Sequence, residues 1–502
     1  MDTMARYVRS PVLLAGVLAL LLAALEGCSS TGSVTSPSPS SSSTPATGVY
    51  APVTGDINTA FAMLTHTIDY SSLDHSPVEG AWNYPLEDAG FQAIADAGFT
   101  AVRLPVRFSA HMLNTPPYTI DETFLERVDW AVNEALSHGL AVIIDNHHWG
   151  VEGAADFDTI FTDPASQNAR LEAIWQQVAP RYADDPEGVI FELLNEPHGN
   201  LDAVWNDYQD DLLGIVRQSN PDRAVVVSGP WWSGPFALND LALPDDPNLI
   251  VTFHDYIPMD FTHQGATWVN PVPPVGVSWP MPTLRFTPSW SDWSWGMTHT
   301  LTTDGLEVQA TEDWAGIYLH SESGVAGASS IQVTLANDAE LWVDCRTGEE
   351  GTQHTADVHA KAGVPLTITT AECGLASPVF RDIRMMVGTH PDAHFSVTDL
   401  AVTGPTGTAH LFVTPQEELA AGLEAAATWS AAHGNVPMFL GEFGASNLAD
   451  QASRERWVRA VQTGAAARGI ATGYWEFQGD WGFWTPQGGV TEPWLRDAIL
   501  GK

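Results

Sequence analysis

Short apolar runs alternate with segments of helical periodicity along most of the chain, and this alternation restricts the fold more than any other feature. Runs at Phe61 to Leu64, Ala101 to Pro105, Ala141 to Ile144, Val189 to Leu194, Ala224 to Ser228, Leu249 to His254, Met438 to Leu440 and Ala471 to Trp475 read as buried strands. Helical patterns lie between them. In Asp121 to His138, for example, Phe124, Val128, Ala131, Val132, Ala135 and Leu136 share one face and Gly139 closes the element. Regular succession of the two predicts an α/β fold, a parallel sheet wrapped by helices. Eight strands are the number that closes a (β/α)8 TIM barrel, where chemistry sits at the C-terminal ends of the strands.

The sixth and seventh runs lie about 180 residues apart, far beyond an ordinary strand-helix-strand connection. Between 286 and 413 the pattern changes to short alternating runs separated by turn residues: Leu306 to Ala310, Gly316 to His320, Ile331 to Ala336, Glu340 to Asp344, Val364 to Thr369, Phe380 to Val387 and Phe395 to Val402. This predicts an all-β sandwich domain inserted between barrel strands 6 and 7, with the barrel formed by 49–285 and 414–502.

The N-terminus reads as a targeting segment. Arg6 and Arg9 precede an apolar run, Pro11 to Leu25, that is short for a membrane span. Leu25-Glu26-Gly27-Cys28 resembles a bacterial lipobox, so 1–28 is expected to be a lipoprotein-type signal peptide with Cys28 lipidated. Residues 29–48, rich in Ser, Thr and Pro, read as a flexible linker. An extracytoplasmic protein is expected, secreted or held at the cell surface by its lipid, touching a membrane only through that anchor and monomeric. In such a compartment Cys345 and Cys373 are expected to pair as a disulfide. A net charge of -41 excludes nucleic acid and acidic polymers as partners and is compatible with a neutral polymer.

Most strand ends carry polar or aromatic residues. Arg103 lies within the second strand, His147 and His148 follow the third, Asn195 and Glu196 the fourth, and Trp231 and Trp232 the fifth. His254 and Tyr256 close the sixth, Glu442 follows the seventh and Trp475 ends the eighth. Taken singly, each has a structural explanation, since buried polar groups usually just find partners. Placed together at one barrel mouth, they point to a site. Two glutamates across such a mouth suit glycoside hydrolysis, one carboxyl acting as acid then base and the other as nucleophile, about 5 to 5.5 Å apart in a retaining enzyme. Arg103 and Tyr256 near Glu442 would keep it ionised, while a more desolvated Glu196 would keep its proton. Trp475 offers a flat apolar face to a sugar ring. Adjacent His147 and His148 point in different directions on a strand end and no HExxH pair accompanies them, so no metal and no cofactor are expected. The chain also lacks a GxSxG elbow or a strand-to-helix phosphate loop, which lowers esterase and nucleotide readings.

With these residues in place, the chain resembles glycoside hydrolase family 5, of the bacterial endo-β-1,4-glucanase (cellulase) type, from Ile57 to Leu500 apart from the insertion. The resemblance is carried by EGAW at Glu79, AGFTAVRLPVRFSAH at Ala97, DNHHWG at Asp145, FELLNEPHGNL at Phe191, FTHQGATWV at Phe261, FLGEFGAS at Phe439 and GYWEF at Gly473. It implies Glu196 as acid/base and Glu442 as nucleophile. It also implies Arg103, His147, His148, Asn195, His254, Tyr256 and Trp475 around the sugar at the cleavage point, with His263 as a further contact. The implied partner is a polysaccharide: cellulose, carboxymethyl-cellulose or mixed-linkage glucan. A β-mannanase or a xyloglucan- or glucomannan-active hydrolase is the near alternative, and a non-catalytic surface glycan-binding lipoprotein the distant one. One departure stands out. Met63-Leu64-Thr65-His66, followed by Asp69, occupies the place of an NLGN-type motif with its acidic residue, which puts His66 where an Asn would bind substrate. The insertion resembles a carbohydrate-binding module in its strand pattern and in the FRDIRMMVG and FSVTDLAV runs. Trp290, Trp293, Trp295 and Trp314 are candidates there for a sugar platform or for core.

Overall fold

The computed structural model describes residues 52–74, 78–147, 159–287, 290–346, 354–372, 379–405 and 407–502. Cys28, His148 and Cys373 lie outside them, and with them the expected lipidation, one of the paired histidines and the disulfide.

Eight parallel strands close a barrel in chain order: β1 His66–Asp69, β2 Ala101–Val106, β3 Ala141–Asn146, β4 Val189–Glu192, β5 Val225–Ser228, β6 Leu249–His254, β7 Met438–Phe443 and β8 Ala471–Tyr474. β8 pairs back onto β1. Helices cover the outside, so both strand faces are dry and every residue of β2, β3, β6 and β7 is buried.

The first strand differs from the sequence expectation. Phe61 to Leu64 belongs to the helix Ile57–Ala62 and the turn after it, started by Asp56, whose side chain accepts from the Asn58 N–H. Ala60 and Leu64 close the bottom of the barrel against Ala101, Ala141, Ile143 and Ile190. An apolar stretch that plugs a barrel and one that lines it have the same composition, and only the capping aspartate distinguishes them. The true β1 begins at His66.

Alternation along the strands builds two layers inside the barrel. The lower one is apolar, with Ala101, Ile143, Ile190 and Phe439. Two residues further on, the same faces carry Arg103, Asp145 and Glu192. In β7 strict alternation would send Glu442 outward with Leu440, but the register against both β6 and β8 slips after Leu440. That bulge turns Glu442 into the barrel mouth.

Between β6 and β7 the chain leaves and returns side by side, with Arg285–Phe286 paired antiparallel to Phe412–Val413. The insertion forms two antiparallel sheets. One runs Leu366–Thr369, Ser330–Leu335, His394–Gly404, Leu306–Ala310, Met297–Leu301; the other runs His354–Ala360, Ala339–Arg346, Val379–Met386, Gly316–Ala326, Ser291–Asp292. A separate apolar cluster fills the space between them, including Val308, Ile317, Val333, Leu341, Ile383 and Val397. Among the described residues no helix is long and apolar enough to cross a membrane.

Candidate active site

Arg103 is the hub of the upper layer. Its guanidinium is fully buried and reaches Asp69 (2.8 Å), Glu442 Oε1 (2.7 Å), Glu192 through two bonds (2.7 and 2.9 Å), Asp145 (3.0 Å) and Asn195 Oδ1 (2.8 Å). One positive charge therefore serves four carboxyl groups, more than it can keep ionised in a dry interior. Burial pushes Asp69 well above the carboxylate range, raises Glu192 and takes Asp145 up to about 7, in each case against the pull of Arg103. Glu442 behaves oppositely. Burial pushes it up too, but the charges of His254 and Arg103 and the Tyr256 hydroxyl bond outweigh burial and bring it down to about 2. Burial thus favours protons on the acids behind Arg103, and Glu442 faces the mouth as a carboxylate.

Tyr256 donates its hydroxyl to Glu442 Oε2 at 2.8 Å. Burial and the neighbouring charge of Glu442 hold that phenol far above its usual range, so it remains a donor. His254 Nδ1 lies 2.8 Å from Glu196 Oε1 and 3.7 Å from Glu442 Oε2. Burial lowers this imidazole, but Glu442 and the bond to Glu196 more than compensate and raise it. One oxygen of Glu196, one of Glu442 and a ring nitrogen of His254 all lie within 4.8 Å of one another. Such a trio has the donor types of a metal site, yet both Glu442 oxygens already accept bonds, from Arg103 and from Tyr256.

Glu196 stands in the left-handed backbone region (φ 45°), where a non-glycine residue is strained, immediately before Pro197. Its side chain is 27% exposed and that of Glu442 7%. The expectation that Glu196 is the more desolvated of the two is therefore reversed, because Glu442 sits within a strand and Glu196 on the loop beyond one. His147 stacks on Trp475 (5.4 Å between centroids) and holds Asp145 at 2.5 Å through Nδ1, and burial takes it down to about 4. His263 packs edge-on against Tyr256 and Trp481 at 5.0 and 4.9 Å.

Arg103, His147, Asn195, Glu196, His254, Tyr256, His263, Glu442 and Trp475 are thus gathered at the C-terminal mouth. Asp69 is there too, fully buried and bonded to Arg103 at 2.8 Å. His66 is not. It opens β1 at the opposite end of the barrel, bonded through its backbone to Thr100, three residues below Asp69 and so about 10 Å from the site layer. Its assignment as a substrate contact rests on placing the first strand too early.

Sequence reasoning passes over Asp145 and Glu192, although an acidic residue inside an otherwise apolar buried strand is a signal in itself. It passes over Glu476 as well. That residue comes directly after Trp475, is bonded to Ser71 and approached by Asn83, and burial raises it well above the carboxylate range.

A family model described as cellulase (glycosyl hydrolase family 5) matches residues 65–335, from the threshold of β1 into the insertion. β7 and β8 lie beyond the match, separated from it by the rest of the insertion. Endoglucanase H of Acetivibrio thermocellus is 37% identical over 223 residues, which is 43% of this chain and 23% of that one, so the chain spans under a quarter of this relative's length. Among solved structures, an endoglucanase superposes with a TM-score of 0.59 at 27% identity, covering 89% of this chain and 100% of its own. Thermotoga maritima Cel5A in complex with mannotriose superposes with a TM-score of 0.58 at 25% identity, covering 88% and 100%. The closed barrel carries its charged layer at the mouth, and the family match takes in more than half of the 502 residues: the chain belongs to the cellulase family, glycosyl hydrolase family 5.

Proposed function

We propose that the protein is a retaining, endo-acting glycoside hydrolase that cleaves β-1,4-glucan, with Glu442 as nucleophile and Glu196 as acid/base. The observation that carries this reading is the separation of the two carboxyl groups. An oxygen of one lies within 4.8 Å of an oxygen of the other, which supports the close pairing of a retaining enzyme, about 5 to 5.5 Å, over the roughly 6.5 to 9.5 Å between carboxyls in an inverting one.

In the first half-reaction the ionised Glu442 attacks the anomeric carbon, while Glu196 gives its proton to the departing glycosidic oxygen. The bond to the leaving sugar breaks, and an ester links Glu442 to the glycosyl unit. Arg103 and Tyr256 hold the attacking carboxylate in place, which lowers the entropic part of the barrier. Ester formation removes a negative charge beside Glu196. Its carboxylate then takes a proton from the incoming water, which attacks the anomeric carbon and frees Glu442. Trp475, half-buried over His147, lies where a sugar ring can rest its apolar face. No step calls for a cofactor.

A β-mannanase on the same residues is the second reading, favoured by the mannotriose held by the Thermotoga relative. Reducing-sugar assays on carboxymethyl-cellulose, lichenan, glucomannan, mannan and xyloglucan separate the two. We expect release from the glucans to dominate, and Glu196→Gln or Glu442→Gln to cost at least about a thousandfold in kcat. Activity confined to mannan or xyloglucan would keep the catalytic pair and overturn the substrate, and polymer binding without hydrolysis would make the protein a surface glycan-binding lipoprotein. Export and lipidation at Cys28, and a Cys345 to Cys373 bridge, are part of the same proposal. Palmitate labelling of the wild type against Cys28→Ala and thiol titration after denaturation check them.

A further inference from the structure

The two faces of the second inserted sheet are chemically unlike. Leu341 and Val343 of Ala339–Arg346, Ile383 and Met385 of Val379–Met386, and Ile317 and Leu319 of Gly316–Ala326 point into the sandwich core. Alternation therefore sends Trp342, Arg384, Met386 and Tyr318 to the opposite face. Trp290 is core, but Trp293, Trp295, Trp314 and Trp342 are not. Register sets Trp342, Met386, Gly316 and Trp295 in one row across the strands, about 14 Å long at three strand spacings.

Glycines make room for the rings of this row. A Cβ on Gly316 would lie 2.6 Å from the Trp295 ring, and one on Gly388 2.8 Å from Trp342 Nε1, so each indole occupies space that a side chain would fill. Trp314 extends the row, its ring 5.6 Å from that of Trp342 and 45% exposed. Tyr318 sits between Trp293 and Trp295 at 5.4 and 6.3 Å, with the Arg384 guanidinium 5.4 Å over its ring. Glu340, two residues before Trp342 on its strand, and Thr389, which follows Gly388, line a groove of about 440 Å³ together with Asp338, His390 and Asp392. Broad indole surfaces next to carboxylate, imidazole and hydroxyl groups suit a ligand with flat apolar faces and hydroxyl edges. A chain of net charge -41 repels a polyanion.

We propose that this outer face binds a neutral β-linked glycan chain, whose rings stack on Trp295, Trp342 and Trp314 while their hydroxyls meet the adjoining groove. The choice of a glycan rests on the glycoside hydrolase reading of the barrel. The test is native affinity electrophoresis of the full chain carrying Glu442→Gln, in gels containing hydroxyethyl-cellulose, lichenan or glucomannan, with polygalacturonate as the anionic control. Retardation by at least one neutral glycan is expected, and Trp295→Ala and Trp342→Ala should each weaken it about tenfold. Trp314→Ala, at an exposed side chain whose loss leaves the core intact, should weaken it as well. Retardation equal to the parent's in all three variants would assign binding to the cleft and overturn the proposal, as would retardation by polygalacturonate alone. Hydrolysis of an aryl cellobioside by the unsubstituted chain is read separately. Hydrolysis without retardation sinks the platform and leaves the barrel reading; retardation that depends on the tryptophans, without hydrolysis, does the reverse.

Discussion

At the scale of single residues the site is a problem of proton placement. Four carboxyl groups share Arg103; burial raises the three behind it, while Glu442 at the mouth is held down as a carboxylate. His254 is central to this because its ring bonds Glu196 and its charge helps hold Glu442 down at about 2. Replacing His254 by Asn removes that charge, so Glu442 should titrate at higher pH. The acid limb of the kcat/KM profile should move up by on the order of one unit. A purely structural role for His254 would lower the rate and leave the limb in place. Asp145 and Glu192 show what a reader of the sequence overlooks: Asp145 follows the run Ala141 to Ile144 and looks like a boundary, Glu192 interrupts the run Val189 to Leu194, and both are interior groups tied to Arg103.

At the scale of elements, the ends of β2 to β6 and of β8 were legible because buried parallel strands are nearly pure apolar runs, against which the polar and aromatic residues at their ends are conspicuous. The first strand was not, since the plug helix Ile57–Ala62 carries the same residue types. Nor was the β7 bulge, which depends on pairing with neighbours distant in sequence. A third element was illegible for the same reason. Trp231, Trp232 and Ser233 are three successive non-glycine residues at φ 55 to 56°. The turn links the loop bearing Glu196 to the end of β6, because Trp232 N–H donates to Pro197 O (3.0 Å) and Ser233 O accepts from His254 N–H (2.8 Å). Trp232 also stacks on His198, whose ring holds the Glu196 carbonyl at 2.7 Å. Left-handed backbone costs about 1 to 2 kcal/mol per residue, so this turn stores strain at the site. Ser233 is buried and its hydroxyl has no hydrogen-bond partner among the described residues. Ser233→Gly should therefore stabilise the protein by about 0.5 to 1 kcal/mol, read as a higher urea midpoint. A lower midpoint would show that the turn is not strained there.

At the scale of the whole molecule, buried acids set the response to pH. Burial takes Asp74, Asp145 and Asp255 each up to about 7 from an ordinary 3.8. Their folded forms hold protons that the unfolded chain has released, so stability falls as pH rises from about 4 to about 7 and then levels. Glu442, depressed from 4.5 to about 2, acts oppositely: its contribution is present above about 4.5 and is lost as pH falls towards 2. Maximum stability is expected near pH 4 to 5. A few kcal/mol lost by pH 8 would lower Tm by on the order of 5 °C in a calorimetric scan, and a Tm that rises between pH 5 and 8 would contradict this balance. The chain as a whole carries a net charge of -41, but its chemistry turns on one bond. Treating the enzyme with a 2-deoxy-2-fluoro-cellobioside bearing a good leaving group, then digesting it and sequencing the labelled peptide by mass spectrometry, shows where the glycosyl unit is held. The label should be an ester on Glu442, and be absent from Glu442→Gln. A label on another carboxylate, or hydrolysis that inverts the anomeric centre with no label at all, would contradict the mechanism.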